Sequence, residues 1–340
     1  MLLKNQFLLD TNSLYFVHII RNSLKKTKYN NWSWGIRGDE KIKEIITLSA
    51  IATFDKTDIL SFDEAMSFLE KANEPTIFEI LNWAKPNWIE FFILDRFRKN
   101  DWQNFEYKSL RFLEDKGFIA FNPELFGLCL SRFNSWHGKT KPREFVAYLV
   151  NDEKAAKRDI PLLYDYETNI QNSTFNETPN ASYREFNTWN LLFNQLISEG
   201  KLDKKTFVEN AILIQTKEWN NNLKLFFRKL LEDVNATTED LIPFQENIFT
   251  YFHNSNPTIV NYGAELVKKI YDHPKFKTKS YLEWVESLMM RNDCKAAIKS
   301  SLMILEKLSK SNPKLSKQIA LLTADIFIIS DLNIQERATK

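Results

Sequence analysis

Glycine is scarce in this sequence, with seven residues among 340, and there are only ten prolines. Seven glycines are about a third of the usual frequency. The chain is instead rich in leucine, isoleucine, phenylalanine, lysine, glutamate and asparagine. This composition argues against a β-rich fold and favours helices joined by short loops.

Cysteine and histidine are also few, which weakens any case for a metal site or a disulfide framework. The two cysteines, Cys129 and Cys294, lie far apart on helical patterns, so we expect buried thiols in a reducing compartment. No two of the four histidines are three to five residues apart, which is the spacing that zinc ligands favour. We therefore predict no metal and no cofactor.

Neither half of the sequence has a marked excess of positive or negative charge. Residues 1–170 carry 24 basic and 24 acidic side chains, and residues 171–340 carry 22 and 20. Such a balance of charges does not indicate general binding to nucleic acid or to membranes. The N-terminal stretch is interrupted by Lys4, Asp10 and Arg21, unlike a signal peptide, and no apolar run is long enough to cross a membrane. We predict a cytoplasmic protein.

Apolar residues recur with helical spacing along almost the whole chain. Helix starts are marked by Asn256–Pro257 and by Ser61–Glu64, and helix ends by Gly117 and Gly200. The fold predicted is all-α. Residues 1–167 form an irregular helical region, residues 168–182 a polar loop, and residues 183–340 a set of HEAT-like repeats.

Self-comparison reveals a repeat of 37 residues in the C-terminal half. Apolar or small residues recur at this step in two helices, at Leu223, Val260, Ala297 and Ile334 in one and at Ile248, Val285 and Leu322 in the other. A period of this length is typical of helical-hairpin solenoids, in which each hairpin shields the apolar stripe of the next. The pattern predicts a right-handed α-α superhelix of the HEAT/ARM-like solenoid class. Chance register between ordinary packed helices is the alternative.

The segment Ser330–Lys340 matches the first turns of one more repeat helix. Isolated helices below about 12–15 residues are marginal in water. We therefore expect that the last repeat is truncated.

Other local patterns have ordinary structural explanations. Gly35 and Gly38 lack the preceding strand and the Lys-Ser/Thr pair of a phosphate loop. Cys129 sits among apolar residues, as a core thiol does. The neighbouring carboxylates Asp152 and Glu153 suit a solvated loop or a helix cap better than an acid–base pair. Most of the tryptophans fall on apolar stripes and are predicted to lie in the core.

Two segments are candidates for an interaction surface. Trp32 and Trp34 lie on a predicted loop, and exposed tryptophan is enriched at binding hot spots. A second predicted loop gathers cations around an aromatic ring, which suits a phosphate backbone with stacked bases or an acidic peptide; its residues are Arg132, Trp136, His137, Lys139, Lys141 and Arg143. A solvated loop is the simpler alternative. A further basic run, Lys295–Lys317, is interpreted as the solvent-exposed face of a helix.

Several stretches resemble a bacterial family of unknown function built from HEAT-like repeats. They are "NWIEFFILDRFRKNDW", "LEDKGFIAFNPELFGLCL", "TWNLLFNQLISEGKLDKKTFVENAI", "ATTEDLIPFQENIFTYFHNSNPTIVNYGAELVKKI" and "DLNIQERA". The resemblance implies a longer natural chain, and genes nearby for a MoxR-type AAA ATPase, a von Willebrand A protein and a SWIM zinc-finger protein. The arginine that HEAT repeats usually carry is absent, since Asn261 and Gln335 occupy its positions.

The function predicted from these observations is a non-catalytic protein-interaction scaffold. The resemblance would make its partner an AAA ATPase or a von Willebrand A subunit. The rival hypothesis is a nucleic-acid-binding HEAT-like protein of the helical-repeat DNA glycosylase type. That alternative needs a continuous basic face, which the near-neutral charge disfavours.

Overall fold

The computed structural model describes residues 40–60, 62–99, 105–131, 142–172 and 188–339, and no strand occurs in these ranges. The all-α prediction is therefore confirmed. The chain divides into two compact units, Met1–Leu192 and Phe193–Lys340. The first unit contains α1 (Glu40–Thr53), α2 (Lys56–Ile59), α3 (Glu64–Glu70), α4 (Pro75–Ala84), α5 (Ile89–Arg98), α6 (Tyr107–Asp115), α7 (Pro123–Ser131), α8 (Pro142–Asn151) and α9 (Leu162–Asp165).

Helix α10 (Thr188–Ser198) contains the division between the units. The second unit then contains α11 (Lys204–Leu213), α12 (Asn221–Asp233), α13 (Thr238–Leu241), α14 (Gln245–Phe249), α15 (Pro257–Ile270), α16 (Thr278–Val285), α17 (Lys295–Ser311), α18 (Ser316–Thr323) and α19 (Leu332–Ala338). Short 3₁₀ turns extend several of these helices, among them Thr250–His253 after α14, Glu286–Met290 after α16 and Ala324–Ile328 after α18.

Local sequence signals account for many of the helix boundaries. The Asn256 side chain accepts a hydrogen bond from the Thr258 amide, and Pro257 occupies the first helical position of α15, as predicted. Gly117 and Gly200 have φ angles of +72° and +67°, the left-handed conformation that ends a helix. These predicted stops are confirmed.

The predicted loop between the two sequence regions is described only in part. Ile170–Asn172 form a single 3₁₀ turn with Ile170 buried, and residues 173–182 lie outside the described ranges. The domain boundaries predicted from the sequence, at 167 and 183, remain a prediction.

The first unit packs its helices around an aromatic core. α1 contacts α3 and α4, α5 and α6 both contact α7, and α7 contacts α9. Trp88 and Trp189 are almost completely buried, which confirms the core prediction for them. Trp83, however, is 38% exposed. A single helical stripe does not reveal which of its edges a neighbouring helix covers, so the apolar pattern alone does not separate Trp83 from the buried tryptophans.

A π-helical turn, Ala155–Asp159, precedes α9. Its wide turn is closed by a hydrogen bond of 2.9 Å from the Ile160 amide to the Ala155 carbonyl. Pro161 follows and has no amide to donate, and its ring would clash with a carbonyl four residues earlier in a regular α-helix. The widened turn avoids that clash and also projects Asp159 into the core.

The second unit arranges its helices in two contacting sets. In the first set α11 contacts α13 and α14, α14 contacts α16, and the turn after α16 contacts α18. In the second set α15 contacts α17, and α17 contacts α19. Helix α13 continues through a 3₁₀ turn into α14, and the second-set helices α12, α15, α17 and α19 follow α11, α14, α16 and α18 after short connections. The sequence therefore folds as successive helical hairpins.

Both cysteines are buried thiols, as predicted. The Cys129 Sγ lies 3.7 Å from the Phe105 carbonyl oxygen, and burial raises the pKa of the Cys294 thiol to about 11. Throughout the described ranges, every helix is too short or too polar to cross a lipid bilayer.

Candidate functional site

Most of the residues predicted to form an interaction surface lie outside the described part of the chain. They are Trp32, Trp34, Arg132, Trp136, His137, Lys139 and Lys141. Arg143 is described and has an exposed side chain in the first turn of α8. The structure therefore places one member of the predicted set and leaves the cluster itself a prediction.

An open groove of about 850 Å³ begins one residue after Arg143. Its walls come from a single stretch of chain, α8 and the turn after it; the lining residues are Glu144, Ala147, Tyr148, Asn151, Asp152, Glu153, Lys154 and Lys157. Both lysines already face carboxylates: Lys157 pairs with Glu153, and the Lys154 Nζ lies 3.1 Å from Glu114 Oε2. The groove thus has a mixed lining in which the cations are neutralised.

Beneath the groove lies a buried network centred on Asp159, whose side chain is fully buried. The Tyr107 hydroxyl donates to Asp159 Oδ2 at 2.5 Å, and Arg158 Nε donates to Asp159 Oδ1 at 2.5 Å. Arg111 Nη1 donates to the Tyr107 hydroxyl at 2.9 Å and lies 3.1 Å from Asp152 Oδ2. Tyr107 and Arg111 lie on α6, Asp159 lies in the π turn, and Asp152 lies just before that turn. The network therefore joins α6 to the π turn.

Arg158 extends the network towards the surface through Glu114. Its Nη1 and Nη2 atoms donate to the two Glu114 carboxylate oxygens at 2.5 and 3.1 Å, a bidentate pair. The guanidinium carbon also lies 3.8 Å from the centre of the Phe121 ring and 4.9 Å from that of Phe126. A cation stacked on aromatic faces and held by two carboxylates is fixed in position.

The electrostatics of the network favour fixed charges. Burial raises the pKa of the Tyr107 phenol, and the neighbouring Asp159 carboxylate raises it further. Burial alone would raise the pKa of Glu114, but hydrogen bonds from Arg158 and Lys154 outweigh it and hold that pKa below its ordinary value. Burial disfavours the charged form of Arg158 and by itself would lower its pKa. Hydrogen bonds to the Glu114 and Asp159 carboxylates outweigh this effect, so the pKa of Arg158 is raised. These groups stay in one protonation state around neutral pH.

This arrangement can lock two helices together but is poorly suited to acid–base chemistry. A general acid or base works best when its pKa lies near the working pH. Within the described ranges, every carboxyl group with a shifted pKa moves down and every such tyrosine moves up; the carboxyl groups are Glu114, Glu124, Glu153, Glu199, Asp203, Asp240, Glu246, Asp293 and Asp331. The same ranges contain no cluster of three or more side chains suited to holding a metal ion.

Sequence reasoning missed this network but identified one part of its geometry. Asp152 was predicted to be a loop or cap residue, and its Oδ1 does accept a hydrogen bond from the Ala155 amide at 3.0 Å. Its pairing with Arg111 was not foreseen. The available signal was the spacing of Tyr107, Arg111 and Glu114, which at steps of four and three residues puts three polar groups on one face of α6.

Comparisons with known proteins identify a family but no characterised relative. No curated protein and no solved structure matches the chain. One family model, described as a domain of unknown function (DUF6493), matches residues 6–296, which is most of the sequence. The chain therefore belongs to the DUF6493 family.

Proposed function

We propose that this protein is a non-catalytic protein-interaction scaffold whose second unit is a right-handed α-α superhelix of the HEAT/ARM-like type. The observation that carries the proposal is the packing of successive hairpins. First-set helices contact first-set helices, and α15, α17 and α19 contact one another in order. A stack of this kind presents long surfaces formed by equivalent positions of successive hairpins, which is how repeat proteins bind their partners.

Burial supports a repeat of 37 residues in this stack. Residues at this step share the same environment in the second-set helices: Leu223, Val260, Ala297 and Ile334 are all buried, with exposed fractions of 1% or less. In the first set, Phe252, Met289 and Ile326 are buried in the same way. Common burial at a constant step is expected when every hairpin uses the same residues to cover its neighbour.

Hydrogen bonds between hairpins recur at nearly the same step. The Ala297 amide donates to Asn261 Oδ1 at 3.0 Å across 36 residues, and Arg291 Nη1 donates to the Asn254 carbonyl at 2.5 Å across 37. Further examples that join positions 30–36 residues apart are Gln245 to Lys275 and Lys307 to Tyr271. Such bonds fix the orientation of one hairpin on the next, so a scaffold built from them would be rigid.

The absence of catalysis is supported by the state of the described polar groups. The densest cluster, around Asp159, consists of paired charges whose pKa shifts lead away from neutrality, and it is covered by the packing of α6 against the π turn. Paired and buried charges bind helices together but do not reach a substrate. A scaffold requires only the surfaces that such a framework holds in place.

The partner proposed is a protein, and the family resemblance points to a MoxR-type ATPase or a von Willebrand A subunit. The test is to mix the purified full-length chain with each of these proteins from the same genome and to measure complex formation by analytical ultracentrifugation. The expected result is a complex of defined stoichiometry with one of them. Failure of both to bind, together with tight DNA binding that weakens steeply with salt, would replace the scaffold with the nucleic-acid-binding alternative.

A further inference from the structure

Arg228, on α12, is a buried cation without a carboxylate partner in the described part of the chain. The residue is only 9% exposed, and it forms no ion pair there. Six other arginines of the described ranges do form ion pairs with carboxylates; they are Arg96, Arg98, Arg111, Arg158, Arg291 and Arg337. A buried charge is unfavourable unless an opposite charge compensates it, so Arg228 differs from the arginines that serve only to hold this fold together.

The Arg228 guanidinium is nevertheless held in one position. Its Nε donates to Gln215 Oε1 at 2.7 Å, and its central carbon lies 4.6 Å from the centre of the Tyr262 ring. Gln215 is itself completely buried and donates to the Ala211 and Lys224 carbonyls at 3.2 and 3.1 Å. Neutral groups therefore fix the cation in place, and its positive charge remains available to a ligand.

The outer end of the guanidinium keeps hydrogen-bond donors that nothing accepts. An arginine side chain has five N–H donors. In Arg228 one donates to Gln215, and one on Nη1 makes a long contact of 3.5 Å with the Thr258 carbonyl; the remaining three have no acceptor among the described residues. Nη2 is not among the buried polar atoms that lack a partner, so it is open to solvent. Nη1 and Nη2 together form the flat fork that binds both oxygens of a carboxylate.

Two exposed carboxylates, Glu232 and Glu265, lie near Arg228 but do not pair with it. Burial lowers the pKa of Arg228, and the negative charge of Glu265 offsets this effect only in part. Burial raises the pKa of Tyr262, and the negative charge of Glu232 raises it further. The guanidinium points towards Thr258 in the first turn of α15, and Glu265 lies seven residues later, about 10 Å further along that helix. The fork of Arg228 therefore remains open between these neighbours.

We propose that the Nη1–Nη2 fork of Arg228 binds the carboxylate of an aspartate or glutamate side chain of a partner protein. A planar carboxylate matches the fork and would complete the pair that every other ion-paired arginine of this fold finds within the chain. A phosphate dianion fits less well, because Glu232 and Glu265 would repel its second charge. Leu225 lies three residues before Arg228 on the same side of α12 and is 44% exposed, so an apolar residue beside the partner's acid would also find a contact.

The inference rests on the scaffold proposal and names the chemistry of one contact in it. The test is an NMR titration of the full-length chain, labelled with ¹⁵N in its arginine side chains, with sodium acetate as the simplest carboxylate. Sodium chloride at equal ionic strength is the reference, and acetamide is the neutral analogue of the same shape. The signal that Arg228→Gln removes identifies Arg228. It should shift saturably with acetate and stay in place with acetamide, and inorganic phosphate should bind more weakly than acetate.

A second pair of variants gives a readout that a purely structural arginine would not move. Glu232→Gln with Glu265→Gln removes the two negative charges near the fork and should tighten acetate binding by about threefold. Glu209→Gln with Glu283→Gln is the matched control, because it removes the same charge from exposed positions on α11 and α16. It should leave acetate binding unchanged within error. The gain of binding in the first variant cannot arise from misfolding.

Several results would overturn the inference. They are an Arg228 signal that moves no more with acetate than with chloride, an equal shift with acetamide, tighter binding of phosphate than of acetate, and equal effects of the two double variants. A complex with a partner protein whose affinity Arg228→Gln leaves unchanged would also overturn it. The acetate titration needs no partner, whereas the ultracentrifugation experiment measures complex formation itself. Failure of this inference and failure of the scaffold proposal are therefore distinguishable.

Discussion

The buried network predicts a large loss of stability when Asp159 becomes asparagine. The substitution keeps the shape of the side chain but removes its charge and turns one oxygen into an amide donor. That donor would face Tyr107, Arg158 or Arg111, which all donate to Asp159 or lie within ion-pair distance of it. Removing one partner of a buried ion pair costs about 3–5 kcal/mol. We expect the lower end, about 3 kcal/mol, because Glu114 still pairs with Arg158.

The assay is urea unfolding followed by hydrogen exchange of the backbone amides. Asp159→Asn should lower the free energy of unfolding and speed exchange in α6 and in residues 155–165, which the network joins. Glu153→Gln is the matched control, because Glu153 lies two residues before the π turn and pairs with Lys157 at the exposed surface. It should leave both measurements unchanged within error. Equal effects of the two variants, or a loss below about 1 kcal/mol for Asp159→Asn, would refute the argument that the network locks α6 to the π turn.

Three further predictions concern single features. Gly263→Ala should destabilise the protein by about 1 kcal/mol in urea unfolding despite its better helix propensity, because the added Cβ would lie 2.9 Å from the Tyr251 Cβ; increased stability would contradict this close approach. Asn256→Ala removes the cap of α15 and should cost about 1 kcal/mol in the same assay, and a neutral result would show that the cap is dispensable. Glu114 has a folded-state pKa below its unfolded value, so its stabilising contribution is complete above about pH 4.5 and is lost as the pH falls through the folded pKa. Unfolding midpoints measured from pH 6 down to about pH 3 should therefore fall less steeply for Glu114→Gln than for the unaltered chain.

Helices were predictable from the sequence because their boundaries depend on nearby residues. The helix start predicted at Asn256–Pro257 is the start of α15, Pro257–Ile270, with Asn256 as its cap. A cap needs only the side chain and amides two or three residues away, so it is visible in a short stretch. The 3₁₀ ends of α14, α16 and α18 were not visible, because α and 3₁₀ turns share nearly the same apolar pattern.

The buried network was not predictable from the sequence, because its residues lie far apart along the chain. Tyr107 and Asp159 are 52 residues apart, and nothing local announces that they meet. The π turn that turns Asp159 inwards arises from a conflict between helix geometry and Pro161, which sequence periodicity does not register. The exposure of Leu321 and Ile328 was hidden in a similar way: both residues share the apolar stripe pattern of buried residues, and only the packing around them reveals that they are exposed.

The hydrogen bonds between hairpins have a consequence for how this protein tolerates change. Arg291 and Gln245 donate from their side chains to the main-chain carbonyls of Asn254 and Lys275. A main-chain carbonyl is present whatever residue occupies the position, so the accepting side can be substituted without breaking the link. Only the residue at the donor position must keep its side chain. The accepting positions of these two bonds can therefore diverge in sequence, or be exchanged by an engineer, as long as the donor side chains are kept.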